Sequence, residues 1–212
     1  MQSGCKTRRI YRNDGNTVSL PQLYFIRHGE TTWSLSGQHT GRTDIPLTAH
    51  GEVQARGLAL SLQRVQFAHL FTSPRQRARR TCELVGLGSA AEIEPDITEW
   101  DYGEYEGLRS VDIRKDRPGW NIFRDGCPGG ETPQQIADRA DRQIAKLVVL
   151  SANIALFSHG HFGCVLAARW IGLPVLNAQH FSLNPATISI LSNSPSNADM
   201  RVIALWNAAS TF

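Results

Sequence analysis

The sequence predicts a three-layer α/β fold, in which a mostly parallel sheet is flanked by helices. Short apolar runs typical of buried strands alternate along the chain with longer runs of helical period. The 212 residues, 41% of them hydrophobic, can build one sizeable core but hardly two. We therefore expect a single domain over residues 21–212.

The predicted elements follow one another in the order expected of such a fold. Strands are expected at residues 22–26, 68–72 and 153–158, helices at 48–65, 75–86, 133–150 and 161–171, and a closing hairpin at 186–192 and 200–206. The last of these helices stops at Gly172, with Pro174 just beyond it.

The helix predicted at 133–150 has the clearest start. Thr132 can cap it, Pro133 suits its first position and Gln135 can complete a capping box. The residues expected to form its buried stripe are Ile136, Ala140, Ile144, Leu147 and Val148.

Residues 1–20 differ from the rest of the chain. They show no apolar periodicity, and Asn13, Asp14, Gly15 and Asn16 interrupt regular structure. We expect a loosely ordered N-terminal extension. An address segment or a polyanion-binding arm is less favoured, because no apolar signal-peptide core follows the basic residues.

Composition excludes several classes of protein. The net charge of +3 is too small to indicate nucleic-acid binding by bulk attraction, and no run of 18 apolar residues predicts a membrane span. The four cysteines, Cys5, Cys82, Cys127 and Cys164, lack the spacing of a disulfide scaffold or a zinc site. A reducing, cytoplasmic setting is therefore expected.

Polar residues follow two of the predicted strands. Arg27, His28 and Gly29 come after the first strand, and His159 and Gly160 come after the strand at 153–158. Ligands of an open parallel sheet bind outside the carboxyl ends of its strands, so two histidines 131 residues apart can share one crevice.

A third strand end adds arginines. After Ser73 and Pro74, a predicted helix begins with the sequence RQRARR, and a helix N-terminus lined with arginine suits phosphate oxygens. Taken singly, each histidine could be a satisfied polar residue and the arginines a solvated face. His159 and His161 have poor spacing for a metal pair. Together the three strand ends predict a pocket for a phosphoryl group.

Several motifs resemble a known family. The segments RHGETTW, TGRTDIPLTAHGEVQA, SPRQRARRT, EWDYGEYEG, GGET and SHGHF, spread over residues 23–192, occur in the order typical of the histidine phosphatase superfamily, also called phosphoglycerate mutase-like. The chain is most similar to its sugar-bisphosphatase branch. This resemblance implies a phosphoglycerate mutase-like fold and a metal-independent phosphomonoester hydrolase without cofactor.

The resemblance also implies roles for five residues. His28 resembles the nucleophile that forms a phosphohistidine, Arg27 and Arg77 resemble phosphate ligands, His159 the second phosphate-binding histidine, and Glu99 the proton donor. The nearby acids Asp101, Glu104 and Glu106 are expected to belong to a solvated loop.

Further residues are expected to bind the phosphate or the rest of the substrate: Ser34, Gln38, His39, Thr40, Tyr102, Gly160 and His161. We expect a small polyhydroxylated phosphate, preferably a sugar bisphosphate. Cys164 stands where the resembling branch has an arginine, so His39, Arg42, His161 or Arg124 would have to compensate, and the preference for a second phosphate should be weaker.

Hydrolysis is favoured over transfer because only 30 residues lie between Glu99 and Gly130. A short cap near residues 101–128, with Trp120 and Phe123 as apolar anchors, should admit water. The alternatives are a phosphoglycerate mutase-type phosphotransferase, a non-catalytic phospholigand-binding module, and a polyanion binder using a basic strip of arginines. We expect a small phosphorylated metabolite as ligand, no nucleic acid or membrane partner, and allow for a homodimer.

Overall fold

The computed structural model describes residues 10–11, 17–18, 21–150 and 152–209. Strands β1 (Ile10–Tyr11) and β2 (Thr17–Val18) pair antiparallel in a separate two-stranded sheet. Otherwise the predicted loose extension at residues 1–20 lies outside the described residues.

The main sheet has six strands: β3 (Leu23–Arg27), β4 (His69–Thr72), β5 (Glu92–Ile93), β6 (Ile154–Ser158), β7 (Thr187–Ser194) and β8 (Asn197–Ala209). Their order is β5-β4-β6-β3-β7-β8. The pairs from β5 to β3 are parallel, whereas β3 with β7 and β7 with β8 are antiparallel. The sheet is therefore mixed, with the predicted hairpin at one edge.

The helices are α1 (Thr32–Ser36), α2 (Ala49–Gly57), α3 (Ala59–Leu62), α4 (Gln76–Leu84), α5 (Ser110–Asp116), α6 (Ile122–Asp125), α7 (Pro133–Val148) and α8 (Gly160–Trp170). Short 3-10 helices occupy Gly88–Ala90, Pro95–Ile97, Gly103–Tyr105 and Val175–His180. None of the helices in this part of the chain combines the length and the apolar character needed to cross a membrane.

Side chains of neighbouring strand residues enter two separate cores. Phe25 and Leu156 pack with buried residues of α7 and α8, whereas Ile26 and Phe157 pack with Leu58 and with buried residues of α3 and α4. Because successive strand residues point to opposite faces, both faces of the sheet are covered by helices. The predicted three-layer α/β architecture is confirmed.

Two details of the predicted helices are wrong. The helix expected at 48–65 is broken at Leu58 into α2 and α3. In α7 the capping box of Thr132 and Gln135 is present, but Val148 is 45% exposed and lies outside the buried stripe.

The register of the parallel strands sets the position of the functional residues. Arg27 of β3 is level with Ser158 of β6, and the backbone N–H of His28 donates to the carbonyl of Ser158 over 3.0 Å. On the other side of β6, the N–H of Ser73 donates to the carbonyl of Phe157 over 2.9 Å. The ends of β3, β6 and β4 therefore meet at one edge, as predicted.

A glycine is needed directly after His28. A Cβ atom on Gly29 would lie 2.4 Å from the carbonyl oxygen of Gly51, at the start of α2. Any larger residue would push α2 away from the end of β3. The Arg-His-Gly sequence thus combines a functional dipeptide with a close backbone contact.

Candidate active site

A cavity of about 400 Å³ lies at the carboxyl ends of β3 and β6. Residues from the strand ends, from the loop after β3, from the segment after Glu99 and from α8 line it, and they include Arg27, His28, Thr31, Ser34, Gln38, His39, Thr40, Glu99, Tyr102, Ser110, Phe123, Gly160, His161, Cys164, Gln179, Phe181 and Leu183. Such a volume suits a small ligand.

His28 lines this cavity with one ring nitrogen uncommitted. Its Nδ1 lies 2.7 Å from the carbonyl oxygen of Gly29 and therefore carries the proton, because a carbonyl can only accept. Burial, followed by the charges of Arg77 and Arg27, holds the pKa of His28 well below its usual value. Nε2 therefore carries the lone pair and has no hydrogen-bond partner within the described residues.

Arg27 approaches the first turn of α8 closely. Its Nη1 donates to the carbonyl of Leu183, while Nε is buried without a hydrogen-bond partner in the described part of the chain. A Cβ atom on Gly160 would lie 3.1 Å from Cζ of Arg27. Glycine at position 160 therefore leaves room for the guanidinium.

Arg77 and His159 form a fully buried pair that does not itself line the cavity. Nε of Arg77 donates to Nδ1 of His159 over 3.2 Å, and Nε2 of His159 lies 2.8 Å from the hydroxyl of Ser73. Because Nδ1 accepts, Nε2 carries the proton. Burial, with Arg77 as the next cause, holds the pKa of His159 well below its usual value.

The remaining donors of Arg77 hold the loop after α1. They bond the carbonyls of Thr40, Thr43 and Gly41 at 3.0, 3.0 and 3.3 Å. With the bond to His159, four of its five N–H groups are used. Within the described residues, the second N–H of Nη1 has no hydrogen-bond partner.

Glu99 is held by backbone N–H groups on the cavity wall. Its Oε1 accepts from Trp100 and Phe162 at 2.9 and 2.8 Å, and its Oε2 accepts from His161 at 3.0 Å. Oε2 has fewer partners than Oε1, so it has the greater capacity to hold a proton or to accept one from a ligand. The carboxylate is thus bonded to the N-terminal turn of α8. It is the one acidic side chain among the described residues that line the cavity.

A second group of side chains forms the outer wall. The Tyr102 hydroxyl lies 2.6 Å from Nδ1 of His161, and the Tyr102 ring stacks on His39 with centroids 4.6 Å apart. The Ser110 hydroxyl lies 3.2 Å from Nε2 of His39. Burial and the neighbouring His161 and Arg114 lower the pKa of His39 to about 3, so the ring is neutral at pH 7.

Ser34 and Thr40, expected to bind the substrate, line the cavity, but their hydroxyls are engaged. Ser34 and Thr31 form the capping box of α1, and the Thr40 hydroxyl donates to the carbonyl of Gln38. Gln38 also lines the cavity, and its amide donates to the carbonyl of Gly107. These side chains shape the cavity wall, and they can bond a ligand only after rotating away from their present partners.

Cys164 brings no charge to the cavity. Its thiol donates to the carbonyl of Phe181, and burial raises its pKa to about 12. Two residues expected to compensate for a missing cation lie elsewhere: Arg42 pairs with Asp101 at 2.5 Å, and Arg124 pairs with Asp125 at 2.9 Å. Neither lines the cavity, so that expectation is wrong for both.

The expectation of a solvated loop is also wrong for Asp101 and Glu106. Glu106 accepts from the backbone N–H groups of Gly41 and Thr43, and Asp101 accepts from Gly103. Glu104 is exposed, as expected. Glu106 thus fixes the loop that Arg77 also holds, and Asp101 joins that loop through Arg42.

Other lining residues escaped sequence reasoning. Ser110 is the first residue of α5, Gln179 lies in the 3-10 helix Val175–His180, and Phe181 directly follows that helix. Neither element has enough periodicity to be recognised. Ser73 was visible as a strand-terminal residue, but its bond to His159 gave no sequence signal. Within the described residues, no group of three or more His, Cys, Asp or Glu side chains is placed to hold a metal ion.

Comparison with known proteins agrees with this geometry. Residues 23–208 match the sequence profile described as "Histidine phosphatase superfamily (branch 1)". The chain is 39% identical over 173 residues to an acid phosphatase of Mycobacterium tuberculosis, which covers 80% of this chain and 85% of that protein. It is 41% identical over 188 residues to sedoheptulose 1,7-bisphosphatase of Saccharomyces cerevisiae, which covers 73% of this chain and 69% of that protein.

A solved structure shows the same fold. It is the structure of an open reading frame of Mycobacterium tuberculosis, with a TM-score of 0.85 and 34% sequence identity. The superposition covers 90% of this chain and 99% of that one. Fold, site and relatives therefore point to the same family.

Proposed function

This chain belongs to the histidine phosphatase superfamily and is a phosphatase, and we propose that it hydrolyses phosphomonoesters through a phosphohistidine on His28, without a metal ion. The observation that carries the proposal is the state of the His28 ring. Its Nδ1–H is bonded to the carbonyl of Gly29, its Nε2 carries the lone pair, and the residue lines the cavity. A neutral imidazole so oriented is a competent nucleophile.

Two chemical steps follow from this arrangement. Nε2 of His28 attacks phosphorus, the bond from phosphorus to the ester oxygen breaks, and Glu99 in its acid form gives its proton to the departing alkoxide. Glu99, now a carboxylate, then takes a proton from the water that attacks phosphorus. The bond from phosphorus to Nε2 breaks, which returns neutral His28 and releases inorganic phosphate.

Positive groups of the chain supply the charge stabilisation that a metal ion would otherwise give. Arg27 lines the cavity, Arg77 has one uncommitted N–H, and α8 begins at Gly160 beside Arg27. We propose that Arg27, Arg77 and His159 bind the equatorial oxygens of the transferring group. His159 would have to turn its Nε2–H from Ser73 to do so.

Small sugar phosphates are the proposed substrates. The cavity has the volume of a small ligand and contains neutral polar groups on His39, Tyr102, Ser110 and His161 that can meet hydroxyls. Among the described residues that line the cavity, Arg27 is the one arginine and there is no lysine. We therefore propose that a second phosphate adds little, even though a relative is a sedoheptulose 1,7-bisphosphatase.

Hydrolysis remains the proposed outcome over mutase chemistry. The segment between Glu99 and Gly130 contains only the short helices α5 and α6 besides a 3-10 turn. Trp120 and Phe123 are buried and anchor it, as expected of a short cap. Such a cap leaves water access to the phosphoenzyme, which a phosphotransferase must prevent.

We also propose a cytoplasmic setting. Cys82, Cys127 and Cys164 are free and buried, which suits a reducing compartment. Fractionation of cells expressing the tagged full-length chain should recover it with cytoplasmic markers. Recovery from the medium or with an oxidising compartment would contradict this part of the proposal.

A phosphate-release assay on the purified chain tests the function. The panel comprises sugar monophosphates, fructose 1,6-bisphosphate, sedoheptulose 1,7-bisphosphate, 3-phosphoglycerate and nitrophenyl phosphate, each with and without EDTA. We expect turnover that EDTA leaves unchanged, with kcat/KM for bisphosphates no more than about threefold above that for the corresponding monophosphates. Loss of activity restored by Mg²⁺ or Zn²⁺, or isomerisation of 3-phosphoglycerate faster than any hydrolysis, would overturn the proposal.

A further inference from the structure

Tyr102 is a buried residue whose hydroxyl has one hydrogen-bond partner in the described part of the chain. Its side chain is 2% exposed, and its oxygen lies 2.6 Å from Nδ1 of His161. No carbonyl or carboxylate of the described residues accepts from this hydroxyl. A buried neutral phenol needs an acceptor for its proton, and Nδ1 of a neutral imidazole can provide it.

The protonation states of the pair agree with this direction of the bond. Burial raises the pKa of Tyr102 well above its usual value, and burial lowers the pKa of His161, so both groups are neutral at pH 7. If Nδ1 of His161 accepts, the proton of the neutral ring is on Nε2. Nε2 has no partner within the described part of the chain, and His161 lines the cavity.

His161 is next to the proposed acid. Its backbone N–H donates to Oε2 of Glu99 over 3.0 Å, so the ring and the carboxylate are tied to the same turn of α8. Stacking on His39 holds the Tyr102 ring in place from the other side. Tyr102, His161 and Glu99 are therefore held together on one wall of the cavity, where the leaving group must receive its proton.

From this geometry we propose that Tyr102 is a positioning residue: it fixes His161 as the Nε2–H tautomer, and that N–H donates to a hydroxyl or ester oxygen of the alcohol part of the substrate. The inference rests on the proposed phosphatase function for its kinetic consequence. Its structural part, the tautomer of His161, does not depend on turnover. Tyr102 thereby favours polyhydroxylated leaving groups over bare aromatic ones.

The first test measures the tautomer directly. Ring ¹⁵N NMR of the full-length wild type should show His161 with protonated Nε2 and unprotonated Nδ1, its signals being identified by their loss in His161→Gln. In Tyr102→Phe, which keeps the stacked ring, the Nδ1 resonance should shift towards the protonated form. Protonated Nδ1 in the wild type would overturn the inference, whether or not the protein hydrolyses any ester.

The second test measures the consequence for catalysis. Tyr102→Phe should lower kcat/KM for a sugar phosphate about tenfold and leave that for nitrophenyl phosphate within about twofold. In the His161→Ala background the same change should have no further effect, because the coupling between the two residues is then removed. Tyr105→Phe is the matched control, since its hydroxyl bonds Arg117 at the surface.

The outcomes separate the two proposals. Equal losses from Tyr102→Phe with and without His161 would show that Tyr102 acts through packing, which overturns the inference. Equal losses for both substrates would do the same. If the wild type hydrolyses none of the phosphomonoesters, the proposed function fails, and the NMR measurement still decides the tautomer.

Discussion

The imidazole rings of His28 and His159 lie edge to face with their centroids 5.2 Å apart, at the ends of adjacent parallel strands. Arg77 donates to His159, and its charge is the second cause, after burial, of the lowered pKa of His28. Burial first, and the charge of Arg77 next, therefore lower the pKa of both histidines and keep their rings neutral. A neutral imidazole has a free lone pair, which the proposed attack of His28 on phosphorus requires.

Glu99→Gln should separate leaving groups by their need for a proton. An alkoxide leaving group requires protonation, so kcat for sugar phosphates should fall on the order of 100-fold or more, whereas nitrophenyl phosphate should lose less than about tenfold. Steady-state kinetics on both substrates measure the difference. Glu104→Gln, at an exposed acid of the same segment, is the control and should behave as wild type. Equal losses on both substrates would assign Glu99 a structural role.

His39 should make stability depend on pH. Its pKa is about 3 in the folded chain, against an ordinary value of 6.5 when unfolded, so the unfolded state binds the proton first. The contribution of neutral His39 to the free energy of unfolding is fully present above pH 6.5 and is lost as the pH falls from there towards 3. Between pH 7 and pH 5 it amounts to about 2 kcal/mol of unfolding free energy.

Urea unfolding of wild type and His39→Gln at the two pH values measures this contribution. The amide of glutamine can still bond the Ser110 hydroxyl, which makes the comparison conservative. The pH-dependent loss should be about 2 kcal/mol smaller in the variant. An identical loss in both proteins would show that His39 is not buried in its neutral form.

Gly160→Ala should weaken substrate binding without lowering stability. Gly160 is the first residue of α8, and alanine forms helix at least as well as glycine, so α8 should not lose stability. The new methyl group would lie 3.1 Å from the Arg27 guanidinium, which is already bonded to Leu183. We expect KM for phosphomonoesters to rise about tenfold with an unchanged unfolding midpoint. An unchanged KM would show that Arg27 yields without loss of function.

Much of the fold could be predicted because its main elements have strong local signals. Apolar runs mark β3 and β6, and Thr132 with Pro133 and Gln135 marks the start of α7. The elements that were missed are short: β5 has two residues and α6 has four. They depend on tertiary contacts, which local periodicity does not report.

The site was predictable where it depends on strand ends and less so elsewhere. Parallel strands bring His28 and His159 to one edge whatever their separation in sequence. The groups that determine which ring nitrogen of each histidine carries the proton cannot be identified from the sequence. The carbonyl of Gly29 and the hydroxyl of Ser73 become hydrogen-bond partners of the two rings only in the folded chain. The same holds for Arg42, whose exposed pairing with Asp101 removes it from the cavity.

Trapping the phosphoenzyme tests the central claim most directly. The purified chain is mixed with a ³²P-labelled phosphomonoester, quenched within milliseconds, and the label is located by peptide mapping. We predict an acid-labile, base-stable phosphoryl group on His28 that is absent from His28→Ala and present in His50→Ala, a variant of an exposed histidine. An undiminished phosphoenzyme in the His28→Ala protein would contradict the account, because another residue would then be the nucleophile.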